Sequence, residues 1–105
     1  MRSQKELDSI IKLLKEQQNN ILLYLKSRYP LFHKSNVFYR DIQLGIKYYL
    51  ENKEIKLSYS ESEYIANKFI EYLISQNILQ KISDNIYILN YPEFSAKQSS
   101  QKVKI

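Results

Sequence analysis

Residues 58–90 read SYSESEYIANKFIEYLISQNILQKISDNIYILN, and this stretch decides the fold. It opens on two overlapping capping signals, Ser58-x-x-Glu61 and Ser60-x-x-Glu63. In each, a hydroxyl and a carboxylate can satisfy one another's backbone amides at a helix start. Ala66, Phe69, Ile70 and Leu73 come next at spacings of three and four, which places them on one helical face. The helix should stop at Asn77, a residue that tolerates the left-handed conformation. Two β-rich runs, ILQKIS and IYILN, then flank Asp84-Asn85, as expected of a hairpin closed by a tight primed turn. Tyr91-Pro92 ends the pattern.

Upstream, Asp41 is placed to cap a helix that carries Ile42, Gly45, Ile46, Tyr49 and Leu50 on one stripe and ends near Asn52. Gly45 costs such a helix about 1 kcal/mol relative to Ala, which suits close approach of a second helix better than ligand binding. Val37-Phe38-Tyr39 fits a brief edge strand or a buried turn. Further back, Ser3-Gln4-Lys5-Glu6 is another capping box. Leu7, Ile11, Leu14, Gln18, Ile21 and Leu25 then make one apolar seam that Pro30 closes. Unbroken, that helix would be about 40 Å long. Gln17-Gln18-Asn19-Asn20 interrupts it, however, and Asn19 or Asn20 could cap a second helix. Two readings stay open: one long core helix with a polar waist, or an extension over 3–18 that pairs with a partner or a second copy through Leu7, Ile11 and Leu14. A seam holding one polar residue is also how coiled-coil register is fixed.

The order helix, short β-like segment, helix, helix, hairpin resembles a winged helix-turn-helix domain over residues 20–90. The most specific stretch is Ala66-x-x-x-Ile70-x-x-Leu73-x-x-x-Asn77-Ile78-Leu79 with the hairpin after it. The expected class is mainly α with a small β-hairpin (α+β), a winged helix-turn-helix with a long or extended N-terminal helix. An irregular helical bundle ending in a hairpin is the alternative. A single domain over 1–92 and a flexible basic tail over 93–105 complete the organisation. The resemblance implies that a helix from about Ser60 to Gln76 enters a DNA major groove, with the hairpin at 79–90 beside it. Tyr64, Asn67, Lys68, Glu71 and Ser75 then face outward. Asn67 suits a bidentate contact to adenine, Lys68 guanine or phosphate, and Tyr64 phosphate. Lys81 is the only cation of the hairpin.

Composition narrows the function. Leu, Ile, Val and Phe supply 33 of 105 residues, enough for a core in one domain. One Gly cannot build a phosphate-cradling loop or a dinucleotide fingerprint. No Cys and a single His, His33, argue against zinc, iron–sulfur and thiol chemistry, so no metal or cofactor is expected. His33 has no acid within seven residues on either side and reads as a surface histidine rather than a general base. Asp41 with Glu54-Ile55-Lys56 matches the loose Asp…Glu-x-Lys pattern of metal-dependent nucleases, but the several strands that pattern needs are not in view. The protein therefore reads as non-enzymatic. Its longest apolar run, Ile21 to Leu25, is far short of the roughly 20 residues of a membrane span, and a cytoplasmic, membrane-free protein is expected. Abundant Ile, Lys, Tyr and Asn point to an A/T-rich genome.

Charge then divides the chain. The formal net charge is +5, but residues 1–40 hold eight cations and three anions, and residues 41–93 five cations and eight anions. The last twelve residues add three Lys. Between 60 and 77, Lys68 stands alone against Glu61, Glu63 and Glu71, whereas a surface for a polyanion should be basic. The basic and aromatic stretch is Lys26 to Arg40, where Lys26, Arg28, Lys34 and Arg40 alternate with Tyr29, Phe32, His33, Phe38 and Tyr39 and no acid intervenes. Such a mixture tracks phosphates and stacks bases, or it simply caps helix joints with solvated cations. The expected function is a winged-helix protein on double-stranded DNA, a small transcriptional regulator or a replication or partition accessory factor, homodimeric through its N-terminal helix. The competing class is a protein–protein subunit of a larger nucleic-acid-processing assembly, with its partner at the acidic third helix.

Overall fold

A capping box opens the chain. The computed structural model describes residues 2–95, and in it the Ser3 hydroxyl accepts from the Glu6 amide while Glu6 accepts back from Ser3 N–H. Helix α1 (Gln4–Glu16) comes first, then α2 (Gln18–Arg28), strand β1 (Asn36–Phe38), α3 (Tyr39–Glu51), α4 (Tyr59–Ser75), β2 (Leu79–Ser83) and β3 (Ile86–Leu89). A short 3-10 turn, Pro92–Phe94, closes the described part. The protein is mainly helical with one small antiparallel sheet, an α+β arrangement. Strand order in the sheet is β1-β3-β2, with Val37 opposite Tyr87 and Lys81 opposite Tyr87 from the other side.

The polar waist breaks the N-terminal helix at Gln17, whose backbone leaves helical geometry at φ −104°, ψ 29°. Neither Asn19 nor Asn20 caps the second helix, since both lie inside α2, and Gln17 occupies the cap position with no side-chain bond. The waist amides are used elsewhere. Gln17 Oε1 accepts from the Tyr49 hydroxyl at 2.6 Å, and Asn19 Oδ1 from the Tyr91 hydroxyl at 2.6 Å. Two tyrosines of distant elements thus hold the bend.

The segment before the bend does not leave an apolar seam for a second copy. Leu7, Ile10, Ile11 and Leu14 are buried within this one chain, with Leu14 wholly inaccessible. Helix α1 runs beside α4 in the same direction: Arg2 meets Glu61, Gln4 meets Tyr64, and Lys15 lies over Tyr72. The expectation of a dimer built on Leu7, Ile11 and Leu14 is therefore corrected, because those side chains complete the core over α4. Buried aliphatics of this size each contribute about 1.5–3 kcal/mol.

Gly45 has the close-approach role its position suggested. A Cβ built there would land inside the van der Waals envelope of Leu25 Cδ2, a buried side chain on α2. Gly45→Ala is expected to destabilise the fold by about 1–2 kcal/mol, because overpacking outweighs the helix-propensity gain of about 1 kcal/mol. Urea unfolding monitored by circular dichroism measures it, and a stabilised variant would show that α2 yields freely.

Helix α4 starts and stops at the residues that signal it. Of its two overlapping start signals the first operates, with Ser58 Oγ accepting from Glu61 N–H at 3.1 Å. At the other end Asn77 takes φ 62°, and Ile78 N–H and Asn77 N–H reach back to Leu73 O and Ile74 O. That pair of bonds is a Schellman stop. Helix α3 begins earlier than expected: Phe38 is its cap residue, without a side-chain bond, and Asp41 sits in the first turn. The hairpin turn is also different. Neither Asp84 nor Asn85 has positive φ, so the turn is not of the primed type I class, and an irregularity at Ile82 between Lys81 and Ser83 adjusts the register instead. Finally, Phe94 is buried and packs edge-on against Tyr91, so the fold extends through Ser95 into the segment expected to be loose. The remainder of that expected tail, residues 96–105, lies outside the described residues.

Candidate nucleic-acid interface

The outward side of α4 carries Ser60, Glu63, Asn67, Glu71 and Ile74, all exposed. Asn67 is exposed and its side-chain amide makes no hydrogen bond among the described residues. Lys68 lies toward α1 and its ammonium is 3.8 Å from Glu71 Oε1, an exposed pair of small energetic weight. Tyr64 is half-buried, and its hydroxyl accepts from Gln4 Nε2 of α1 at 2.8 Å, which leaves its own O–H to donate to another acceptor. Glu61, counted among the acids of this helix, does not belong to its outer surface. It is 4% exposed and its carboxylate accepts from Ser58 N–H, Arg2 N–H and the Arg2 guanidinium at 2.8–2.9 Å. The exposed charge on α4 is thus Glu63 and Glu71 against Lys68. On the hairpin, Lys81 stands 3.8 Å from Asp84.

The basic and aromatic stretch from Lys26 to Arg40 comes apart in space. Lys26 Nζ donates to Leu31 O at 2.8 Å and sits 4.4 Å from the Phe32 ring centre and 4.8 Å from that of Phe94. It latches the loop after α2 to the closing 3-10 turn. Arg28 lies over Tyr24 and Tyr48, at 5.6 and 5.1 Å, and its pKa is raised chiefly by Tyr24. Lys34 takes φ 72°, and its N–H donates to Leu89 O. Its side chain shares a shallow depression with Lys81, Asn77 and Asn90. His33 is half-buried rather than on the surface. Its N–H donates to Phe94 O and its Nδ1 accepts from Tyr91 N–H at 3.0 Å, so it ties two loops together.

The end of the stretch, Phe38, Tyr39 and Arg40, stays together and lines one groove. This groove of about 600 Å³ opens between the start of α3, the start of α4 and the hairpin turn, lined by Phe38, Tyr39, Arg40, Asp41, Tyr59 and Asn85 together with Gln43. Its walls are fixed to one another. Tyr39 N–H donates to Asn85 O at 2.9 Å, and buried Gln43 donates to Ser62 Oγ at 3.1 Å. Tyr59 is not singled out by the sequence, whereas Phe38 belongs to the basic and aromatic stretch and is exposed rather than buried as a cap over a helix joint. Strand alternation held the hint for Phe38: with Val37 turned inward, its neighbour has to point out.

The loose nuclease pattern is not assembled. Asp41 sits in the first turn of α3 and Glu54 in the turn past its end, and the helical rise from Asp41 to Glu51 alone is about 15 Å. Among the described residues no group of three or more His, Asp or Glu side chains is placed to hold a metal ion. No helix among them is long and apolar enough to cross a membrane. No protein-family model, curated protein or solved structure matches the chain.

Proposed function

We propose that this chain is a non-enzymatic winged-helix protein that binds double-stranded DNA, as a small transcriptional regulator or as a replication or partition accessory factor. The observation that supports this reading is topological. The helices α2, α3 and α4 followed by a hairpin, with the short β1 returning to pair beside β3 in the order β1-β3-β2, is the arrangement a winged helix requires. In that frame α4 is the helix offered to the major groove and Asp84-Asn85 is the tip of the wing. Asn67 and Lys68 supply base contacts. Arg40, at the N-terminal end of α3, and Lys34 with Lys81 near the hairpin supply phosphate contacts.

Anisotropy of a labelled duplex tests this. Binding is expected at micromolar concentration in low salt, weakening steeply between about 50 and 200 mM salt as counterions are retained. Asn67→Ala with Lys68→Ala should flatten sequence preference, whereas Arg40→Ala and Lys34→Ala should weaken binding to every sequence alike. No binding at low salt would sink the proposal.

One observation favours a second reading. The exposed row Glu63, Asn67, Glu71 and Ile74, with Ile74 37% exposed, is acidic and partly apolar. Such a row suits a basic protein partner better than phosphate, and a winged helix used that way would dock through α4 inside a larger assembly.

A further inference from the structure

We propose that the groove between the starts of α3 and α4 and the hairpin turn binds an unpaired nucleobase with its attached phosphate. The proposal rests on the nucleic-acid reading but not on α4 as the contact helix. Two aromatic rings stand in solvent at its walls, Phe38 at 48% exposure and Tyr59 at 62%. Neither is needed to close the core, which is complete beneath them with Val37, Ile42, Ile65 and Tyr87 buried. No aliphatic side chain lines the groove. A slot for a hydrophobic helix would be walled by Leu, Ile or Met, whereas flat rings with polar groups between them suit a planar heterocycle.

The polar groups match the rest of a nucleotide. Arg40 is exposed and has no carboxylate partner within ion-pair distance among the described residues, so its guanidinium is available for a phosphate. Asn85 offers an amide donor and acceptor, and Asp41 an acceptor for an exocyclic amine, which are the groups that read a base edge once pairing no longer hides it. The walls are tied by the Tyr39–Asn85 and Gln43–Ser62 bonds, so little ordering is required on binding. A volume near 600 Å³ lies within the usual range of small-ligand sites. The base in a duplex is not reachable this way, so the groove selects single strands, ends or distorted sites.

The chain contains no Trp, which gives a clean reporter. Tyr59→Trp keeps an aromatic wall and places the sole indole at the groove. Its emission is expected to be quenched, saturably, by an unlabelled single-stranded oligonucleotide, and parallel titrations with DNA and RNA of one sequence separate the two backbones. Anisotropy of the labelled strand should show Phe38→Ala and Arg40→Ala each weakening binding at least about fivefold. Circular dichroism melts should be unchanged, since both side chains are exposed. Duplex binding with no quenching by single strands, or single-strand binding indifferent to Phe38→Ala, overturns the groove and leaves the duplex proposal standing. Quenching by single strands without any duplex binding supports the groove and removes the duplex proposal. Binding to neither removes both.

Discussion

Leu14→Ala is expected to lower the free energy of unfolding by about 2–5 kcal/mol, in a transition whose midpoint does not move with protein concentration. The size comes from position. Leu14 is 0% exposed and stands on α1, the helix packed along α4. Removing three carbons there forfeits their transfer free energy and leaves a cavity that the helices cannot fully close. A domain of this size commonly has 5–15 kcal/mol in total, so the variant should melt far below the parent, by about 4–8 °C for each kcal/mol. The concentration test carries the structural content. If Leu7, Ile11 and Leu14 served a dimer, the midpoint would rise with concentration, and the variant would dissociate before unfolding. Lys12→Ala, on the exposed side of the same helix, is the control and should stay within about 0.5 kcal/mol. A cost for Leu14→Ala below about 1 kcal/mol would mean that α1 is not part of the core.

That helix also marks where sequence reading stops. A seam of Leu7, Ile11 and Leu14 says that one face of α1 must be covered, but apolar periodicity does not say by whose core. Local chemistry reads further: the Ser58–Glu61 cap, the left-handed stop at Asn77, the close approach at Gly45 and the hairpin after Ile78 are each visible in a few adjacent residues and each is present. Elements whose ends are set by distant partners read poorly. Helix α3 begins at Tyr39 and not after Asp41, because Tyr39 N–H is already paired to Asn85 O across the sheet edge. The candidate site has the same character. Lys26 and Arg28 look available in a linear stretch free of acids, yet folding turns one into a loop latch and lays the other on tyrosine rings. The groove instead unites Phe38 and Arg40 with Tyr59 and Asn85, residues of three separate segments, and no local pattern announces that.

The second large effect is expected in acid, at Glu61. Its carboxyl is held down to about 2 from an ordinary value of 4.5, first by the Arg2 backbone N–H, then by Ser58 N–H and the Arg2 charge, against burial that pushes it up. The unfolded chain binds a proton near pH 4.5 and the folded chain does not until about pH 2. Between those values unfolding takes up a proton, so stability rises with pH. The contribution is therefore complete above about pH 4.5 and is lost progressively as pH falls toward 2; it is on the order of 2 kcal/mol. Glu6 is lowered too, by Ser3, and acts in the same direction, so the acid limb of the parent curve does not isolate Glu61. The difference between the parent and Glu61→Gln does. The variant should be less stable by about 1–3 kcal/mol at pH 7, having lost the charge that Arg2 and two amides are arranged around. By about pH 2.5 the parent's carboxyl is partly protonated, and the gap should fall by half or more. Urea unfolding across this range measures the gap directly. An equal gap at pH 7 and pH 2.5 would mean that the clamp joining the start of α1 to the start of α4 acts through shape alone, with the Glu61 charge contributing nothing.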